Sequence, residues 1–194
     1  MNKIIEQPII VDLSNIQVGD IILFHTDFNR HNLMSLLSIA IDGFTHDDYS
    51  HASIVSQDDK GNLTLCQMLI NGCNSDLLST QIINENIKII RYKVLDPLFD
   101  DEKATLVKRI NSKIGIKYDF VGLLIDQPIL QLTEDIDPNS EIWLGRKDSV
   151  SCECSTYTAW CLEYPNWWDC TPANFDKAID FFTTISQGHV IKIV

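Results

Sequence analysis

Two apolar runs of strand length, Ala52 to Val55 and Leu63 to Leu69, flank the polar turn Gln57-Asp58-Asp59-Lys60-Gly61-Asn62, whose glycine supplies positive φ. The spacing predicts an antiparallel hairpin with His51 at its first entrance. The turn Asn15 to Asp20 leads into Ile21-Ile22-Leu23-Phe24, which reads as a buried first strand. A further strand is expected over Ile87 to Val94, closed by Asp96-Pro97, and a last one over His189 to Val194.

Helical signals fill the rest. Apolar residues at 33, 34, 36, 37, 40 and 41 suit a helix over His31 to Ile41, ended by Asp42-Gly43 and followed by the polar loop Thr45 to Asp48. Asp100 to Ile114 has acids in its first turn and Gly115 beyond its last, so both ends are marked. Tyr118 to Ile125 reads as a short helix broken by Pro128, and Gln131 to Lys147 as a polar surface loop or flap. Ser151 to Glu163 is expected to be a helix with Cys154 in its first turn. Pro172 to Phe182 is another, with Thr171 as N-cap and Pro172 at N1. Strands first, helices next and a final strand suggest one α+β domain over residues 1–194, an antiparallel sheet packed against helices.

Composition narrows the partners. A chain of 194 residues, 45% hydrophobic and with mean hydropathy near zero, can bury one core but not two. Its net charge of -12 argues against nucleic acid and anionic lipid as partners, which need a basic footprint. No apolar stretch reaches the roughly 18 residues of a membrane span. The start, Met1 to Pro8, lacks a secretory pattern, so a cytoplasmic product is expected, with signal-less export left open.

The six cysteines, at 66, 73, 152, 154, 161 and 170, are irregularly spaced, which argues against a disulfide framework and for small buried hydrophobes. Zinc is disfavoured because only one C-x-C is present where structural sites use two knuckles. No metal or other cofactor is called for.

One pair carries chemistry. A thiol is a nucleophile only as thiolate, and an imidazole can take its proton and return it near neutral pH. Cys154 at a helix start has unpaired N–H groups and a positive dipole end to favour thiolate and to hold an oxyanion. His51 can serve as base and then acid. Gln67, an amide among the apolar neighbours of the second hairpin strand, can orient the imidazole by accepting its ring N–H. Cys152 is the rival thiol, and Tyr49 and Tyr118 are candidate substrate-binding wall residues.

These fragments occur in a familiar order. Gly19-Asp20-Ile21-Ile22-Leu23-Phe24, Ser50-His51-Ala52-Ser53-Ile54-Val55, Gly115-Ile116-Lys117-Tyr118-Asp119-Phe120, Cys154-Ser155 and Thr171-Pro172-Ala173-Asn174-Phe175 together resemble the circularly permuted papain-like cysteine hydrolases of the NlpC superfamily. The resemblance spans residues about 17 to 180 and is strongest to the YaeF/YiiX group, with lecithin:retinol acyltransferase more distant. It implies a papain-like α+β fold, with His51 at the family histidine, Gln67 at its third polar residue and Cys154 at its nucleophile. Ala52 and Ser53 depart from the family's valine and glycine, and Thr156 from the glutamate after C-S; none removes a catalytic group.

The implied activity is cleavage of an amide, in a peptidoglycan stem peptide or a similar peptide-like substrate, through a thioester. A lipid acyl hydrolase or acyltransferase using the same site is the alternative within that chemistry, with His31 to Ile41 and Gln131 to Lys147 as candidate borders of an acyl groove. A non-catalytic binding module is the alternative outside it. An inhibitor or immunity protein as partner is left open.

Overall fold

The computed structural model describes residues 7–25, 48–69, 71–118, 151–152, 154–165, 167 and 170–194. The helix expected over His31 to Ile41, most of the loop Thr45 to Asp48, all but the first residue of the helix expected over Tyr118 to Ile125, and the loop Gln131 to Lys147 lie outside them; Tyr118 itself is in a strand. The protein is mixed α+β. A seven-stranded sheet is built from β1 (Pro8–Val11), β2 (Ile21–His25), β3 (Tyr49–Gln57), β4 (Leu63–Leu69), β5 (Gly72–Leu77), β6 (Asn86–Tyr92) and β9 (Phe182–Ile193), in the order β1-β9-β6-β2-β3-β4-β5. A separate parallel pair joins β7 (Lys117–Tyr118) to β8 (Ser151–Cys152). The described helices are α1 (Leu78–Gln81), α2 (Asp100–Asn111), α3 (Cys154–Cys161) and α4 (Pro172–Lys177). Among the described residues, no helix is long and apolar enough to cross a membrane.

The sheet is mixed rather than purely antiparallel, because β1 runs parallel to β9. Both of its faces are covered. Ile21, Leu23, Ala52, Ile54, Cys66 and Met68 pack beneath α2, α3 and α4. Ile22, Val55, Leu65, Ile87 and Ile89 pack on the other face with Leu78 of α1, Ile82 and Val190. Central β2 is therefore buried on both sides, which is why its sequence is continuously apolar instead of alternating.

Several boundaries differ from the sequence expectation. The helix at Pro172 has the expected Thr171 cap and Pro172 at N1 but stops at Lys177, because the β-forming run Phe182-Thr183-Thr184 pairs with β6. That strand begins at Phe182, not at His189. The helix from Asp100 ends at Asn111, and the one expected from Ser151 starts only at Cys154, after Ser151 and Cys152 pair with β7. β1, β5 and α1 were not marked by periodicity. β5, with the polar sequence Gly72-Cys73-Asn74-Ser75-Asp76-Leu77, is a strand because it continues the β4 ladder, with Met68 opposite Cys73 and Leu69 opposite Gly72.

Two glycines hold close approaches. At Gly19, with φ 90°, a side chain would meet the Leu106 methyl at 2.9 Å. At Gly72, with φ 112°, it would meet the carbonyl oxygen of Ile116 at 2.6 Å. The second contact belongs to a tie in which the Cys73 N–H donates to Ile116 and the Gly115 N–H donates to Cys73, both at 2.9 Å, binding the β4–β5 turn to the chain entering β7.

Candidate active site

The site lies where two neighbouring strands part. β3 and β4 pair from Gln57–Leu63 up to Ile54–Cys66 and no further, whereas β3 continues along β2 to Tyr49 and β4 continues along β5 to Leu69. Val55 donates its N–H to Asp20 and accepts from Gly19, so odd-numbered N–H groups of this part of β3 point toward β2. Alternation then points the Ala52 N–H toward β4, into the gap where the ladder has ended.

The Cys154 sulfur lies within hydrogen-bonding reach of that N–H. Burial pushes its thiol up from the ordinary value, against the pull of the N–H groups of Ala52, Ser155 and Cys154 itself and of the Ser155 hydroxyl. Those donors favour negative charge on or near sulfur, as expected at the first residue of an eight-residue helix. Thr158 donates its hydroxyl to the Cys154 carbonyl at 2.9 Å, adding a side-chain bond to that first turn.

His51 sits one residue before Ala52. Its ring packs against Phe24, its cross-strand neighbour on β2, with centroids 5.6 Å apart. Gln67 on β4 reaches across the gap, Oε1 accepting from His51 Nε2 at 3.3 Å, and the Ser53 hydroxyl lies 3.1 Å from the same nitrogen. Gln67 in turn donates through Nε2 to Gln81 Oε1 at 3.1 Å. Burial holds the imidazole down at about 4, the Gln67 bond drawing it part of the way back.

The structure thus brings His51 and Gln67 into contact and places the Cys154 thiol beside the backbone of the residue that follows His51. The thiol and the imidazole are not hydrogen-bonded to one another. By strand alternation His51 projects with Phe24 and Val55, whereas Cys154 belongs to the cluster of Ala52 and Ile54 on the helical side. Both shifts favour a resting neutral thiol and neutral imidazole.

Tyr49 is 3% exposed, its hydroxyl accepting from Gln187 at 3.0 Å and its ring edge-on to His25, so it is placed in the core. The backbone of Tyr118 pairs with that of Cys152, two residues before Cys154. Cys66, Cys73 and Cys161 surround Tyr157, and burial raises all three thiols, Cys73 to about 11. They are free thiols in a packed core. Among the described residues, no three His, Cys, Asp or Glu side chains gather as a metal site would.

Sequence reasoning missed Ser53 and Gln81. Ser53 had a signal, being two residues from His51 on a strand and therefore on the same face. Gln81 had none, since the short helix that presents it was not marked.

The buried imidazole has a consequence for acid stability. The unfolded chain binds the His51 proton near 6.5 and the folded chain only near 4, so through that interval the unfolded state holds more protons and stability falls as pH drops. Allowing for the partial exposure of the ring, the loss should be roughly 2 kcal/mol. Urea unfolding between pH 7 and pH 4 should show it, and His51→Gln should have a flatter dependence; equal slopes would refute the assignment.

Comparison with protein-family models and with curated proteins gives no match to this chain.

Proposed function

We propose that this protein is a cysteine hydrolase of permuted papain-like arrangement that cleaves a peptide-like amide through a thioester. Cys154 is the nucleophile, His51 the base and then the acid, and Gln67 the acceptor that orients the imidazole. The observations that carry the reading are a thiol at the first residue of α3 beside the Ala52 N–H, and an imidazole held by Gln67 on the residue before Ala52. The order of sequence fragments from Gly19-Asp20 to Thr171-Pro172 supports it independently.

In the forward step the thiol proton passes to His51 as sulfur attacks the substrate carbonyl carbon. The developing oxyanion is held by N–H groups at the Cys154 end of the gap. His51 then gives its proton to the leaving amine as the C–N bond breaks, and a water molecule, deprotonated by His51, hydrolyses the thioester and restores the thiol. This requires the imidazole to turn from the Phe24 side toward the Cys154 sulfur.

The test is mass spectrometry of the protein after incubation with peptidoglycan fragments and, separately, with lipid extracts. A peptidyl mass added at Cys154 supports the amidase. A fatty acyl mass alone moves the substrate to lipid and favours the acyltransferase alternative.

A second reading, a binding module with an inert cysteine, is favoured by one observation: Cys154 is 3% exposed and has no hydrogen bond to His51. No adduct with either mixture, from a chain that unfolds cooperatively, would establish that reading instead.

A further inference from the structure

His51 Nε2 faces two oxygens, Gln67 Oε1 at 3.3 Å and Ser53 Oγ at 3.1 Å. An amide oxygen only accepts, so the ring hydrogen must lie on Nε2, shared with the serine oxygen. The opposite state is equally compact: with the Gln67 amide reversed, its N–H would donate to Nε2, and the ring hydrogen would move to Nδ1. With Gln81 presenting its oxygen, the choice between these states falls one residue further out. Gln67 donates its amide hydrogen to Gln81 Oε1 at 3.1 Å, and reversing Gln67 alone would set two amide oxygens against each other.

Gln81 is carried by a short helix packed on the strands that hold the other two residues. It is the last residue of α1, whose first residue, Leu78, is fully buried in the core cluster with Val55 of β3 and Leu65 of β4. Gln67 is itself buried at 6% exposure, so its amide has little water to satisfy it in a wrong orientation.

We propose that Gln81 is a positioning residue that, through the Gln67 amide, fixes His51 as the Nε2–H tautomer and leaves Nδ1 as the nitrogen that accepts a proton. It rests on the reading of His51 as the base given above. The chain Gln81–Gln67–His51 is a polarity relay: an acceptor at position 81 holds the proton on Nε2, and a donor there reverses both amide and ring.

The experiment is nitrogen-15 NMR of the substrate-free, full-length protein labelled at histidine, near neutral pH, with the His51 signals identified by their loss in His51→Gln. The expected spectrum has a pyrrole-type Nε2 and a pyridine-type Nδ1. Gln81→Glu, which can still accept, should keep it. Gln81→Lys, which can only donate, should shift the ring toward Nδ1–H, and Gln81→Leu should give a mixture. Where the amide is hydrolysed, kcat should fall about tenfold in Gln81→Leu with KM nearly unchanged and be restored in Gln81→Glu. If Gln81→Leu does not fold, the contrast between Glu and Lys still decides.

A dominant Nδ1–H form in the unmodified protein, or the same tautomer in the Glu and Lys variants, would overturn the proposal. The tautomer is read without substrate. The expected spectra with no acylation of Cys154 would therefore leave the relay standing and remove the hydrolase reading, and acylation with the wrong tautomer would do the reverse.

Discussion

Cys154→Ala should lower turnover by about 10⁴-fold or more, His51→Ala by a similar factor, and the double variant by no more than the worse single one. The non-additivity follows from the proposed chemistry. Sulfur without its base and the base without sulfur are equally unable to form the thioester, so removing the second partner takes away nothing further. Cys154 is small and sits at a helix start, so its loss should leave the urea midpoint near that of the unmodified protein. Turnover that falls multiplicatively in the double variant would mean the two residues act separately, and the pairing would be lost.

The same residues set a pH signature. With the imidazole held down at about 4 by burial and the thiol raised by burial, the resting pair is neutral, and in the proposed chemistry the proton moves only as sulfur attacks. The base must be unprotonated to work. The acid limb of kcat/KM should therefore fall near pH 4 rather than near 6.5. Gln67 brings no charge to the imidazolium, so it stabilises that state less than a carboxylate would and does little to lift the limb.

Asp20→Ala is expected to cost about 3–5 kcal/mol, the largest stability effect of any single change considered for this chain. Asp20 is fully buried at the entry to β2. Its two oxygens take a forked contact from Arg91 of β6, Nε to Oδ1 at 2.8 Å and Nη2 to Oδ2 at 2.9 Å, and Oδ2 also accepts the Gln17 N–H at 2.9 Å. Arg91 extends a further bond to the Asn15 carbonyl at 2.8 Å. Burial pushes the Asp20 carboxyl up, and Arg91 and the Gln17 N–H pull it back.

Removing the carboxylate leaves a largely buried guanidinium with only the Asn15 carbonyl and the more distant, half-exposed Asp96 at 3.9 Å, and leaves the Gln17 N–H without its acceptor. For a domain whose whole stability is of order 5–15 kcal/mol, that is a large share. Urea unfolding should show a lowered midpoint at unchanged slope. Asp20→Ala combined with Arg91→Met should recover part of the loss, because no unpaired charge remains. A cost under about 1 kcal/mol would show that the fork contributes little beyond its packing.

The Gly-Asp pair was readable in the sequence as the end of a turn before a strand, but not as an anchor for β6, because Arg91 is 71 residues away and nothing local announces it. The β3–β4 hairpin was legible because its turn and both apolar runs are contiguous. The Gln67 to His51 contact followed from the same hairpin, an amide on one strand near a ring on the other. What was not legible depended on pairing at a distance. β5 is polar and becomes a strand only against β4, and β9 overrides the helical reading of Phe182 because β6 and β1 flank it. The parting of β3 from β4 is likewise a property of the assembled sheet, and with it the unpaired Ala52 N–H beside the thiol.

Position 72 carries a constraint that reaches well beyond its own turn. The Gly72 Cα lies so close to the Ile116 carbonyl that any larger residue would have to push that carbonyl away. Ile116 immediately precedes β7, β7 is zipped to β8, and β8 ends two residues before Cys154. A single added methyl group in an edge hairpin would thus be transmitted through Ile116 and the β7–β8 pair toward Cys154, so the placement of that residue depends in part on the emptiness of a turn in another element.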